Sequence, residues 1–85
     1  MKIIMIKKIG CNPCKFYEPT VNNIAKINNI EMVTIQAEDM PKNIRPEIFP
    51  FFYLKEKETI LESWAGTNER KMENVLKRHI IDFKK

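Results

Sequence analysis

Two cysteines, Cys11 and Cys14, stand with two residues between them in the stretch GCNPCKFYEP, Gly10 to Pro19. Three chemistries are open to such a pair: a dithiol that closes to a disulfide, half of a zinc site, or two small buried residues. Zinc normally takes four ligands, and the other donors here are a lone His79 and carboxylates scattered far along the chain, so no metal is expected. His79 itself, beside Lys77 and Arg78, reads as a residue at a helix C-terminus rather than a ligand or a base.

The redox reading depends on what positions the cysteines. Ile3 to Ile6 is a short continuous apolar run, which predicts a strand over Met1 to Lys7 buried on both sheet faces and ending at Gly10. From Pro13 the period becomes helical through Tyr17, Val21, Ile24 and Ala25, with Asn28-Asn29 closing the segment and Pro19 expected to kink it. A second strand over Met32 to Ala37 completes a parallel βαβ unit. Cys11 then falls at the helix N-terminus, where unpaired N–H groups and the helix dipole favour thiolate and draw its pKa from about 8.5 toward about 7. Lys15 adds to this. Cys14, one turn further in, is expected to be recessed and protonated, which makes Cys11 the attacking thiol and Cys14 the resolving one.

Beyond the βαβ unit, Glu38 to Glu47 carries Pro41, Asn43 and Pro46 and reads as a connector. Phe49 to Leu54, the charged turn KEKE and Thr59 to Trp64 predict a β-hairpin ended by Gly66. Thr67 or Asn68 caps a last helix whose Met72, Val75, Leu76, Ile80 and Phe83 share a face. The expected fold is α/β: βαβ-ββα, a four-stranded mixed sheet with the first helix on one face and the last on the other. Ile4, Ile6, Ile24, Ile35, Phe52, Leu54, Ile60, Leu76 and Ile80 are the expected core.

At 85 residues the chain is expected to be a single domain, 1-85, burying about 60 to 65% of its unfolded surface. The net charge of +4 comes from dispersed lysines interleaved with acids, which reads as a solvated surface and argues against nucleic acid as partner. The N-terminal apolar run is cut by Lys7 and Lys8 too early for a signal peptide, and nothing approaches the ~20 apolar residues of a membrane span. A cytoplasmic monomer with no membrane partner is expected, in a compartment where disulfides are transient and catalytic.

The stretch CNPCKFYEPTVNNIA resembles the active-site helix of the thioredoxin-like family: Cys-x-Pro-Cys-Lys, then a proline five residues after the second cysteine, here Pro19. Downstream, IFPFFYL, a charged turn, a strand and Gly66 are similar to the segment that holds the family's cis-proline. The resemblance implies a minimal thioredoxin fold and a small thioredoxin- or glutaredoxin-like thiol–disulfide oxidoreductase that needs no cofactor. It implies Cys11 and Cys14 as the catalytic pair, a cis Phe49-Pro50 bond facing them, and Gly10, Asn12, Pro13, Phe49, Pro50 and Gly66 as substrate-binding residues. Its implied partners are disulfide-containing proteins and a thioredoxin-reductase-type or glutathione-based reductant.

Two positions depart from the family pattern: Gly10 stands where thioredoxins usually have Trp, and Met5 where they have a buried Asp. Without that acid, removal of the Cys14 proton falls to water or to another group. WAGTNE, at Trp64 to Glu69, has one Gly where glutaredoxins show a Gly-Gly pair, which weakens a glutathione link. The alternative class is a binding or redox-sensing module on the same fold, separated from the first by turnover of a disulfide substrate.

Overall fold

The computed structural model describes residues 1–84. In chain order the elements are β1 (Lys2–Lys7), α1 (Asn12–Ile27), β2 (Glu31–Gln36), two 3₁₀ turns (Ala37–Asp39 and Lys42–Ile44), β3 (Phe51–Glu56), β4 (Thr59–Ala65) and α2 (Glu69–His79). The strands form one sheet in the order β2-β1-β3-β4, with β1 parallel to β2 and antiparallel to β3, and β3 antiparallel to β4. β1 is interior to the sheet, which is why its apolar residues run without alternation: Ile3 and Met5 are buried on one face and Ile6 on the other.

Both long helices lie on the same face, not on opposite ones. Ile3 and Met5 of β1, Phe52 and Leu54 of β3 and Trp64 of β4 share one cluster with Tyr17, Val21, Ile24 and Ala25 of α1 and with Met72, Val75 and Leu76 of α2. Register explains this. Met5 is paired with Phe52, Ile3 with Leu54, and Phe52 with Trp64, so these side chains point the same way, and both amphipathic helices bury their stripes against them. Aromatic contacts bind the layers: Tyr17 meets Phe52 edge-on at 5.9 Å, and Phe52 stacks on Trp64 at 5.2 Å. Tyr17 hydroxyl donates to Met72 Sδ at 3.9 Å, joining α1 to α2.

Among the described residues, the opposite face has only the connector over it. Ile4, Ile6, Ile35, Tyr53 and Ile60 line an apolar groove there with Met40 and Ile44 of the 3₁₀ segment. Of the expected core, Ile6, Ile24, Phe52, Leu54 and Leu76 are buried, while Ile4 and Ile35 are only half-buried on this thinly covered face. Ile60 is 56% exposed. Strict alternation from Trp64 would place Ile60 with the core, but an irregularity at Leu54/Lys55 pairs Leu54 with Glu62 and Lys55 with Ile60; the extra residue is Leu61, which packs on the core instead. α2 ends at His79, so Ile80 and Phe83 lie beyond the helix, half-buried against the core.

The remaining boundaries follow local chemistry. Asn68 caps α2, its side chain accepting the Lys71 N–H at 3.1 Å. β3 extends through Lys55 and Glu56, which shortens the expected KEKE turn to Lys57-Glu58. Pro19 lies inside an α1 that runs on to Ile27, its ring nitrogen unable to bond the Lys15 carbonyl.

Candidate functional site: the Cys11–Cys14 end of the sheet

β1 delivers the chain to the site. It ends at Lys7, and a turn through Gly10 feeds Cys11, the N-cap of α1. Gly10 has φ +79°, and a Cβ built there would meet nothing within 4 Å, so backbone conformation rather than space calls for glycine. A large side chain such as Trp at this position would have to adopt the same left-handed backbone.

Cys11 has extended backbone (φ −84°, ψ 98°), and its Sγ accepts the Cys14 N–H at 3.2 Å, the place a serine or aspartate oxygen takes in an ordinary N-cap. The two cysteines are joined by a disulfide, their Cα atoms 5.3 Å apart. Cys14 is 2% exposed and belongs to the core cluster, whereas Cys11 is partly exposed at the helix end. The first turn of α1 carries no acidic residue, so nothing there opposes an anion on Cys11. Asn12 and Pro13, the first two helical residues, are exposed beside it.

The other expected residues come to the same end through strand pairing. Ile6 is paired with Phe51, so Phe49-Pro50 lies just past the end of β1, and the Phe49-Pro50 peptide is cis. Phe51 is paired with Ala65, and the Gly66 N–H donates to the Pro50 carbonyl at 2.8 Å, which fixes Gly66 beside Pro50. Lys8 Nζ stands 5.8 Å from the centre of the Phe49 ring, linking the cysteine loop to the proline loop. Cys11 and Phe49 both pack against the same core cluster. Gly10, Asn12 and Pro13 on one side and Phe49, Pro50 and Gly66 on the other thus sit at one end of the sheet.

Three features of this end escaped the sequence reading. Lys7 Nζ donates to Glu18 Oε1 at 3.0 Å, both side chains 29% exposed, and the pair lines an open cleft of about 260 Å³ with Gly10, Cys11, Cys14 and Lys15. The Ile9 N–H donates to Glu38 Oε2 at 3.2 Å, tying the cysteine loop to the connector. Arg45 donates to the Met40 carbonyl at 2.7 Å and so braces the connector on itself. A readable signal existed for Glu18 alone, which is four residues after Cys14 and therefore on the same side of the helix. Met5 is fully buried beneath the site, and it offers the cysteines no proton acceptor. His79 is at the other end of α2's span, against Glu62 at 2.6 Å.

No family model matches the chain, and no curated protein matches it by sequence. Among solved structures, thioredoxin 1 from Thermosipho africanus superposes with a TM-score of 0.82 at 23% identity, covering 95% of this chain and 96% of that one. Chlamydomonas reinhardtii thioredoxin f2 gives 0.81 at 17% identity over 98% of this chain and 80% of its own. The thioredoxin of Trypanosoma brucei brucei gives 0.78 at 20% identity over 95% and 75%. The sheet order fits these matches, and the architecture of this chain is the thioredoxin fold.

Proposed function

We propose that the protein is a thiol–disulfide oxidoreductase, a small thioredoxin-like protein-disulfide reductant and electron carrier that cycles the Cys11–Cys14 disulfide. The observation that carries this reading is the asymmetry of the pair: one sulfur at an open helix N-terminus, the other in the core, close enough to bond. In the reduced protein the Cys11 thiolate attacks a substrate disulfide and forms a mixed disulfide. Cys14 then attacks Cys11 Sγ, releases the reduced substrate and leaves the oxidised pair for a reductant to restore. The reductant is of the thioredoxin-reductase or glutathione type, and the setting a reducing one such as the cytoplasm. Gly10, Asn12, Pro13, Phe49, Pro50 and Gly66 frame the groove, where an extended substrate segment pairs with the backbone at Phe49 ahead of β3.

The test is turnover of a disulfide peptide with dithiothreitol as reductant. The wild-type protein is expected to accelerate the reaction and Cys11→Ser to return it to the uncatalysed rate, while reduced Cys14→Ser, mixed with the peptide after dithiothreitol is removed, is expected to stall as an isolable mixed disulfide. A wild-type rate no faster than dithiothreitol alone contradicts the reading and favours a binding or redox-sensing module on the same fold.

A further inference from the structure

Resolution requires the buried Cys14 thiol to lose its proton, since the thiolate is the attacking species. The groups around it narrow the choice of acceptor. Met5 is apolar. Tyr17, also in the core cluster, is kept protonated by burial, its pKa pushed up to about 12, and its hydroxyl already donates to Met72 Sδ. Lys7 from β1, Lys8 from the following loop and Lys15 from α1 line the cleft as cations, and β2 supplies only the neutral Gln36. The connector's Glu38 accepts the Ile9 N–H and is not among the cleft's walls. Glu18 remains, the one carboxylate among the described residues that lines the cleft with Cys11 and Cys14.

Resting on the reading of the protein as an oxidoreductase, we propose that Glu18 is the proton acceptor for Cys14 and that Lys7 is its positioning residue. Glu18 is one turn beyond Cys14 on α1, so the two side chains are neighbours on one helical face. The Lys7 ammonium, fixed at the end of β1, holds Oε1 at 3.0 Å and leaves Oε2 for a proton. In the mixed disulfide, the Cys14 proton passes to the Glu18 carboxylate, directly or across one water in the cleft. The Cys14 thiolate bonds to Cys11 Sγ as the bond from Cys11 Sγ to the substrate sulfur breaks. The substrate sulfur leaves with that electron pair and takes up a proton from Glu18 or solvent. The substrate gains two electrons, and the dithiol is oxidised by two.

The experiment mixes the reduced protein with 5,5′-dithiobis(2-nitrobenzoate), whose coloured thiolate is released once when Cys11 attacks and again when Cys14 resolves. In Glu18→Gln the first phase is expected to stay within about twofold of wild type while the second slows about 100-fold at pH 7, the low end of the usual contribution of a general base. The deficit narrows as pH approaches the ordinary thiol range near about 8.5, where solvent takes the proton unaided. Glu18→Asp recovers part of the second phase, and Lys7→Gln slows it less than Glu18→Gln does. A second phase in Glu18→Gln within about twofold of wild type from pH 6 to 9, or equal slowing of both phases, overturns the role of Glu18. Absence of both phases in wild type instead overturns the oxidoreductase reading itself.

Discussion

On one face of the sheet Ile3, Met5, Phe52, Leu54 and Trp64 are sealed under α1 and α2; on the other, Ile4, Ile35, Tyr53 and Ile60 meet a connector of two 3₁₀ turns and solvent. The sealed face is the one that places the two cysteines. α1 is gripped along its buried stripe from Cys14 to Ala25, so its N-terminus is a fixed platform: Cys14 is sunk into the core and Cys11 is held at the rim by the same helix. The open face contributes Ile6 to burial and little else to the placement of the cysteines. Burial is concentrated where a small positional error would separate two sulfurs.

Substitutions on the two faces should therefore differ widely. Phe52→Ala removes a fully buried ring that touches Tyr17 and Trp64, and should cost about 3–5 kcal/mol, much of the total stability of a domain this size. Ile60→Ala on the open face should stay within about 0.5 kcal/mol, a Tm change of about 2–4 °C. Thermal unfolding by circular dichroism measures both, and equal losses would erase the contrast. Between these lies Gly10→Ala, which forces a Cβ into a left-handed backbone and should cost about 1–2 kcal/mol with no steric clash. Because that strain sits at the turn into Cys11, its measure is stability together with the rate of the first thiolate-release phase.

The smallest effect concerns the ionic tie at the far end of the sealed face. Glu62 of β4 accepts two hydrogen bonds from Arg78, at 2.9 and 2.6 Å, and contacts His79 Nε2 at 2.6 Å. The Arg78 bonds, aided by His79 and opposed by partial burial, hold its carboxyl down to about 2 from an ordinary 4.5. A depressed folded pKa means the stabilisation is complete above pH 4.5 and is lost as pH falls from there through about 2. Glu62 is 26% exposed, so salt should screen the effect, and Glu62→Gln should flatten stability against pH in that window by a small amount. Urea titrations from pH 5 to pH 2 measure it; an unchanged slope in the variant would assign the acid sensitivity elsewhere.

Local chemistry was legible in the sequence, and the layering was not. The change of period at Pro13 and the helix-start position of Cys11 are each written in a few adjacent residues, and the structure has them where they are expected; of the two caps the sequence offers for the last helix, Thr67 and Asn68, the structure uses Asn68. The side of the sheet on which α2 packs depends on how the hairpin returns to the first helix, which periodicity does not encode. Ile60 departs from the expected core for a similar reason: one extra residue in β4 moves a side chain to the other face, and no glycine or proline marks the irregularity. At the site, the cis Phe49-Pro50 bond came from resemblance rather than spacing. The Lys7–Glu18 pair joins a strand to a helix across eleven positions, and its lysine could be found only from the fold.

In the proposed cycle one helix end divides two like thiols into an attacker and a resolver. The most direct measurement is alkylation of the reduced protein by iodoacetamide across pH 5 to 10, with each cysteine followed by peptide mass mapping. Cys11 is expected to react first, with a rate that inflects well below the ordinary thiol pKa of about 8.5, while Cys14 stays unmodified in the folded protein. Faster reaction at Cys14, or equal rates at both cysteines with a shared inflection near about 8.5, would contradict the division of roles on which the proposed function rests.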